Sequence, residues 1–156
     1  SAKVLDIGTG RGKMAIALAS FGYNVLTGEP EGDRWGNWEK NAKEVGLRDK
    51  IRFQPFRAEN LPFEDHKYDL ITVYTSFHHI TNKKKAMHKF FRVLTPKSIL
   101  VIFEFTEKKI HELQNLHKDH PDAVEPRDYM GNLPFDVKTI KKEMLFVEIF
   151  SKQNEL

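Results

Sequence analysis

The chain has 156 residues, 40% of them hydrophobic and 30% charged, with 25 Lys plus Arg against 22 Asp plus Glu for a formal net charge of +3. This size and balance suit one folded domain around a single core and argue against a disordered chain or two ordinary domains. Without cysteine there are no disulfides, zinc–thiolate sites, iron–sulfur clusters or cysteine nucleophiles. No apolar run approaches the ~20 residues of a membrane span, and Ser1-Ala2-Lys3 carries no signal pattern, so a cytoplasmic location is the default expectation. The mild positive excess permits a nucleic-acid partner without pointing to one, because opposite charges are interspersed.

In chain order, short apolar runs alternate with amphipathic stretches, the signature of βαβ units on a parallel sheet. Lys3 to Ile7 reads as a buried strand. Lys13 to Phe21 reads as a helix presenting Met14, Ala17, Leu18 and Phe21 on one face, with Gly22 as its left-handed stop. Tyr23 to Gly28 is a second strand. Pro30 to Val45 is expected to be a second helix, with Pro30, Glu31 and Asp33 in its first turn, Trp35, Trp38, Ala42 and Val45 buried, and Gly46 closing it.

Ile51 to Gln54 follows as a short strand, and Tyr68 to Tyr74 as a nearly all-apolar, central one. Asn82 to Leu94 reads as a helix with Ala86, Phe90 and Val93 inward. Ser98 to Phe105 is a fifth strand and Glu107 to Lys118 a helix. Phe135 to Lys141 and Met144 to Ser151 form a closing antiparallel pair. The expected fold is a three-layer α/β/α sandwich, a single domain over residues 1–156, with a mostly parallel doubly wound sheet and a C-terminal antiparallel strand pair.

The informative segment is Val4-Leu5-Asp6-Ile7-Gly8-Thr9-Gly10-Arg11-Gly12, where a strand runs into three alternate glycines and a helix follows. Glycine suits a loop that must turn sharply and let a ligand approach without a Cβ in the way. A dinucleotide fingerprint, Gly-x-Gly-x-x-Gly, would need its third glycine where Lys13 stands. That disfavours a nicotinamide oxidoreductase. Glu29 stands 21 residues beyond Gly8, at the end of the second strand. A carboxylate there can accept hydrogen bonds from both hydroxyls of a ribose, or can act as an acid at a helix N-terminus, and the two roles are compatible.

The Asp6-x-Gly8-x-Gly10-x-Gly12 run resembles the first motif of the class I, Rossmann-like S-adenosylmethionine-dependent methyltransferases, in particular the broad small-molecule group. Glu29, Leu61-Pro62-Phe63 and Phe77-His78-His79-Ile80 extend the resemblance over about residues 3 to 105. It implies S-adenosylmethionine as cofactor, a small-molecule methyl acceptor, and a cofactor site drawn from Asp6, Gly8, Thr9, Gly10, Gly12, Glu29, Pro30, Arg57, Ala58 and Tyr74. It assigns the ribose to Glu29.

Two positions depart from the family pattern. Relatives usually place an Asp at the Arg57 position to accept from the adenine amino group, whereas a guanidinium cannot accept. Arg57 could instead stack on the adenine, or the amino group bonds elsewhere; the Ala58 N–H can still reach a ring nitrogen. Thr95-Pro96-Lys97-Ser98 replaces the usual Lys-Pro-Gly-Gly and is expected to form the turn before the fifth strand.

His78 and His79 follow the fourth strand and are candidates for a general base, or for orienting their loop through backbone bonds. Tyr74 and Glu104 are lesser candidates. His111, His117 and His120 read as surface histidines, with no metal site expected because Pro121 interrupts the helix that would align the last two. Lys83-Lys84-Lys85 reads as a solvated helix start.

Only Ser1-Ala2 precede the first strand, so the N-terminal helical lid of relatives is expected to be absent or truncated. The 28 residues between Phe105 and Pro134 then form either the substrate-facing wall or a packed helix with a structural return loop. An RNA or protein methyltransferase, and a catalytically weak binding module of the same fold, are the alternatives to a small-molecule enzyme.

Overall fold

The computed structural model describes residues 1–33 and 36–153. In chain order it contains β1 (Val4–Ile7), α1 (Lys13–Ser20), β2 (Val25–Gly28), α2 (Trp38–Glu44), β3 (Ile51–Phe53), β4 (Tyr68–Tyr74), α3 (Lys83–Val93), β5 (Leu94–Phe105), α4 (Glu107–Leu116), β6 (Phe135–Lys141) and β7 (Leu145–Lys152). The sheet order is β3-β2-β1-β4-β5-β7-β6. All pairs from β3 to β5 are parallel, and β7 joins β5 and β6 antiparallel. This is the expected doubly wound sheet with its antiparallel closing pair, and β4 is its middle strand.

Successive side chains of β1 point to opposite faces. Val4 packs with Ala15, Ala19, Val25, Ala42 and Ile51 beneath α1 and α2. Leu5 and Ile7 pack on the other face with Phe77, Met87, Phe90, Val93, Leu100 and Phe150, which includes the buried stripe of α3. The central strands are thus covered on both sides, as parallel strands require.

Four expectations are corrected. In α1 the buried face is Ala15 and Ala19, whereas Phe21 is 81% exposed; small residues let the helix lie close on the sheet, and that contact outweighs the larger apolar stripe. The second helix begins at Trp38, not Pro30. Pro30 to Asp33 form a turn, and the Asn37 side chain accepts from the Lys40 N–H at 3.1 Å to cap the helix. Of that helix's expected buried face, Val45 is exposed, Trp38 is partly buried and stacks on Phe53, and Trp35 lies outside the described residues. Finally, Thr95 to Ser98 are not a turn ahead of β5 but an irregularity inside it. The register to β4 jumps between Tyr68 and Leu70, and Lys97 takes a φ of +63°, a conformation that favours glycine.

Candidate functional site

The glycine loop leaves β1 and opens α1. Gly8, Gly10 and Gly12 have φ of +86°, +51° and +82°, where an L side chain is strained. At Gly8 space is closed as well: a Cβ would lie 2.5 Å from Ser76 Oγ. Ser76 in turn donates to the Ile7 carbonyl at 3.1 Å, so the loops after β1 and β4 are pressed together. The Gly8 N–H donates to the Gly28 carbonyl at 2.8 Å, continuing the ladder to the last residue of β2.

Glu29, the next residue, is only 6% exposed, and its Oε2 accepts from the Gly10 N–H at 3.1 Å. Burial raises its pKa above the ordinary glutamate value; the Gly10 bond opposes that shift and the Asp33 charge adds to it. Gly28 fixes where Glu29 stands. A Cβ on it would meet the Gln54 carbonyl oxygen at 2.0 Å and the Phe56 ring at 2.3 Å.

These residues open onto a cleft of about 290 Å³ at the C-terminal ends of β1, β2 and β4. This is the switch point of the sheet, where ligands of open α/β folds bind. Of the residues singled out in sequence, Gly8, Gly10, Glu29, Pro30, Arg57, Ala58, Tyr74 and His79 line it. The Arg57 side chain is 59% exposed, with its Nε 3.9 Å from Glu59 Oε2.

Asp33, expected only as a first-turn acid of the second helix, also lines the cleft, as do Phe56, Thr75 and Ser76, for which the sequence suggests no site role. Thr75 has a φ of +51° while its N–H donates to the Phe103 carbonyl at 2.8 Å. A β-branched residue held in that region is backbone strain at a site. Sequence gives no sign of it, since the conformation is imposed by β5.

Asp6, Thr9 and Gly12 lie behind the cleft wall rather than on it, in contrast to the expected cofactor contact. Asp6 is 1% exposed and accepts from Thr27 Oγ1 at 2.9 Å and Thr72 Oγ1 at 2.8 Å. Thr9 and Thr27 share a further hydroxyl bond of 2.9 Å. The carboxyl therefore ties β1 to both neighbouring strands below the glycine loop. Burial pushes its pKa up to about 7; the two threonine bonds oppose the shift and Glu29 adds to it. The glycine Gly12 shapes the start of α1 by donating to the Thr9 carbonyl and accepting from the Ile16 N–H.

Beyond Tyr74, three imidazoles gather. His78 is buried. Its Nδ1 lies 2.9 Å from both oxygens of the Glu104 carboxylate, and its backbone N–H also donates to Glu104 at 3.1 Å. His78 is thus set one layer behind the cleft, while His79 lines it. His120, from the segment after α4, packs against both, with ring centroids 5.1 Å from His78 and 5.7 Å from His79. Burial, together with the charges His78 and His120 carry when protonated, lowers the His79 pKa to about 4, so its ring is neutral at pH 7.

Of the two readings of the segment between Phe105 and Pro134, the structure agrees with the packed helix and return loop. Among the described residues, none from Thr106 to Leu133 lines the cleft. Val124, Tyr129, Met130 and Leu133 pack on the main core, and Arg127 pairs with the buried Glu148 at 2.7 Å. The segment is a structural return that meets this end of the site through His120. His111 and His117 are exposed, as expected of surface histidines, but His120 is not.

A mostly parallel α/β sheet with a glycine turn and a buried acid sharing its switch-point crevice defines a Rossmann-like domain. Residues 5–102 match the family described as "Methyltransferase domain", and the chain belongs to that family. It is 27% identical over 128 residues to the ubiquinone/menaquinone biosynthesis C-methyltransferase UbiE of Pectobacterium atrosepticum, covering 80% of this chain and 51% of that protein. It is 26% identical over 129 residues to the demethylmenaquinone methyltransferase of Clavibacter sepedonicus, covering 80% and 49%. The chain thus spans about half the length of these curated relatives.

Among solved structures it resembles the YcgJ protein of Bacillus subtilis, with a TM-score of 0.82, 16% identity and coverage of 99% and 93%. It also resembles a SAM-dependent methyltransferase of Methanosarcina mazei, with a TM-score of 0.77, 22% identity and coverage of 99% and 94%. No helix among the described residues is long and apolar enough to cross a membrane.

Proposed function

We propose that this domain binds S-adenosylmethionine in the cleft and transfers its methyl group to a small-molecule acceptor. The observation that carries the reading is the buried Glu29 carboxylate, held by the Gly10 N–H at the mouth of the glycine loop. A carboxylate can accept several hydrogen bonds at once, so Glu29 keeps capacity for both ribose hydroxyls. Gly10 has nothing within 4 Å of the place its Cβ would take, so the loop leaves room for a ligand against its backbone. No pyrophosphate grip is needed, which agrees with Lys13 in place of a third dinucleotide glycine.

S-adenosylmethionine, when bound, supplies a methyl group on a sulfonium carbon with a neutral leaving group. The protein's task is then to align the acceptor. Glu29 would orient the ribose, the Arg57 guanidinium would lie on the adenine face, and the Ala58 N–H would reach a ring nitrogen. Tyr74 and the strained Thr75 would form the wall on the acceptor side. Of the two histidine candidates His79 alone reaches the cleft, where a neutral imidazole can accept a proton from an acceptor that arrives protonated. His78 holds the loop through Glu104.

The names of the curated relatives support a small-molecule acceptor. The test is transfer from cofactor labelled in its methyl group to a panel of small phenols, quinols, amines and carboxylates, run beside bulk tRNA and protein. Label in the small molecules supports the reading. Label found in tRNA or protein and in no small molecule would overturn the acceptor class.

A further inference from the structure

We propose that His78, His79 and His120 form a three-imidazole site for a Zn²⁺ ion, at the end of the cleft beyond Tyr74. One ligand atom from each histidine can be chosen so that all three lie within 4.8 Å of one another. Three histidines with a fourth position left for water or substrate is an established donor set for zinc. Zn–N bonds of about 2.0–2.1 Å in a tetrahedral site place the nitrogens roughly 3.3 Å apart. The ligand atoms therefore need to close by at most about 1.5 Å, within reach of side-chain rotation on the loop that carries His120.

The second observation concerns which nitrogen the His78 and His120 rings present. The His78 side chain is 1% exposed, and its Nδ1 faces the Glu104 carboxylate at 2.9 Å. That carboxylate also accepts from the His78 and Phe105 backbone N–H groups. Nδ1 therefore carries the proton and Nε2 carries the lone pair. His78 Nε2 is buried with no hydrogen-bond partner. Leaving such a group unsatisfied forfeits its hydration without return, and native proteins rarely do so without a reason.

His120 repeats the arrangement. Its Nδ1 lies 3.0 Å from the Pro121 carbonyl, which can only accept, so the Nδ1 is again the protonated nitrogen. A ligating histidine whose other N–H is fixed by a carboxylate or a carbonyl is the usual outer shell of a zinc site. Glu104 also places a negative charge beside the site, against the nearby Lys83 ammonium, which is tethered to the Ile80 carbonyl at 2.8 Å.

The probe is Zn²⁺ itself, given to the chain after chelator treatment. The expected result is one ion per chain by elemental analysis after competition with a chromophoric chelator, and a visible four-coordinate spectrum when Co²⁺ replaces Zn²⁺. His120→Ala lies on a loop and should keep its circular dichroism while losing at least tenfold in Zn²⁺ affinity. Glu104→Gln, acting through His78, should lose roughly ten- to a hundredfold. Exposed His111→Ala and His117→Ala should bind as the parent does. Failure of the parent to retain the ion, equal retention by His120→Ala, or equal loss in His117→Ala each overturns the proposal. Cofactor binding is measured separately and does not depend on the ion; because an ion on His79 would take the lone pair with which the free imidazole accepts a proton, methyl transfer is compared with and without Zn²⁺.

Discussion

The two ends of the cleft are built in different ways. The end formed by β1 and β2 is made of backbone and one acid. Its glycines stand where a side chain would be strained or would collide, and Glu29 is fixed by a bond from Gly10 two residues past the turn. At the other end only His79 of the histidines lines the cleft, and behind it side chains are brought together from three places: His78 after β4, Glu104 in β5, and His120 after α4. A ligand common to a family can be met by backbone and a few fixed positions, whereas a variable acceptor is met by side chains on loops.

The largest effect should come from Gly28→Ala. Its Cβ would sit 2.0 Å from the Gln54 carbonyl oxygen, and the backbone must shift to admit it. We expect a loss of about 3 kcal/mol in urea denaturation, together with loss of cofactor affinity, because Glu29 moves with it. A variant as stable as the parent would mean that this wall is not rigid.

Next is Glu29→Ala, which should weaken S-adenosylhomocysteine by about 2 kcal/mol, near thirtyfold, the scale of hydrogen bonds to a charged acceptor.

The pH dependence of stability isolates the layer under the loop. Asp6 titrates near 7 in the folded chain and near 3.8 in the unfolded one. Between those values the folded state holds a proton that the unfolded state has released, so Asp6 contributes a fall in stability as pH rises through this window, by up to about 1.4 kcal/mol per pH unit, while His79, with its pKa lowered to about 4, contributes a rise between about 4 and 6.5. Asp6→Asn should remove the Asp6 contribution and turn the slope more positive than in the parent. Denaturation midpoints at pH 4, 5, 6 and 7 check it, and the same slope in both proteins contradicts the assignment.

The smallest effect belongs to Arg57→Ala. Its side chain is more than half exposed, so lost stacking on the adenine should cost only about 0.5–1 kcal/mol in cofactor affinity. No change would place the guanidinium in solvent.

The same contrast explains what could be read in the sequence. The β1 loop was legible because glycine leaves a mark: positions that demand positive φ are filled by Gly8, Gly10 and Gly12. Strands β4 and β6 matched to the residue because their apolar or alternating patterns are continuous. The face of α1 was misread because burial there goes to small residues, Ala15 and Ala19, and not to the bulkier Phe21. The start of α2 was misread because Pro30 and two acids imitate a first turn, while the working cap is Asn37. Asp6 was read as a ligand residue because the acid precedes the glycines, although the strand's alternation points it at Thr27 and Thr72. The meeting of His120 with His78 and His79 could not be read at all. It depends on a return loop 41 residues further along the chain from His79, and no local pattern encodes that contact.

The central claim is that the Gly8–Glu29 cleft binds S-adenosylmethionine. Calorimetric titration of the purified chain with S-adenosylhomocysteine and with NAD, repeated on Glu29→Ala, tests it most directly. Saturable binding of S-adenosylhomocysteine is expected with one site per chain, weakened by about thirtyfold in Glu29→Ala, with no saturable binding of NAD. Binding of NAD in preference, or S-adenosylhomocysteine affinity unchanged by the loss of Glu29, would contradict it.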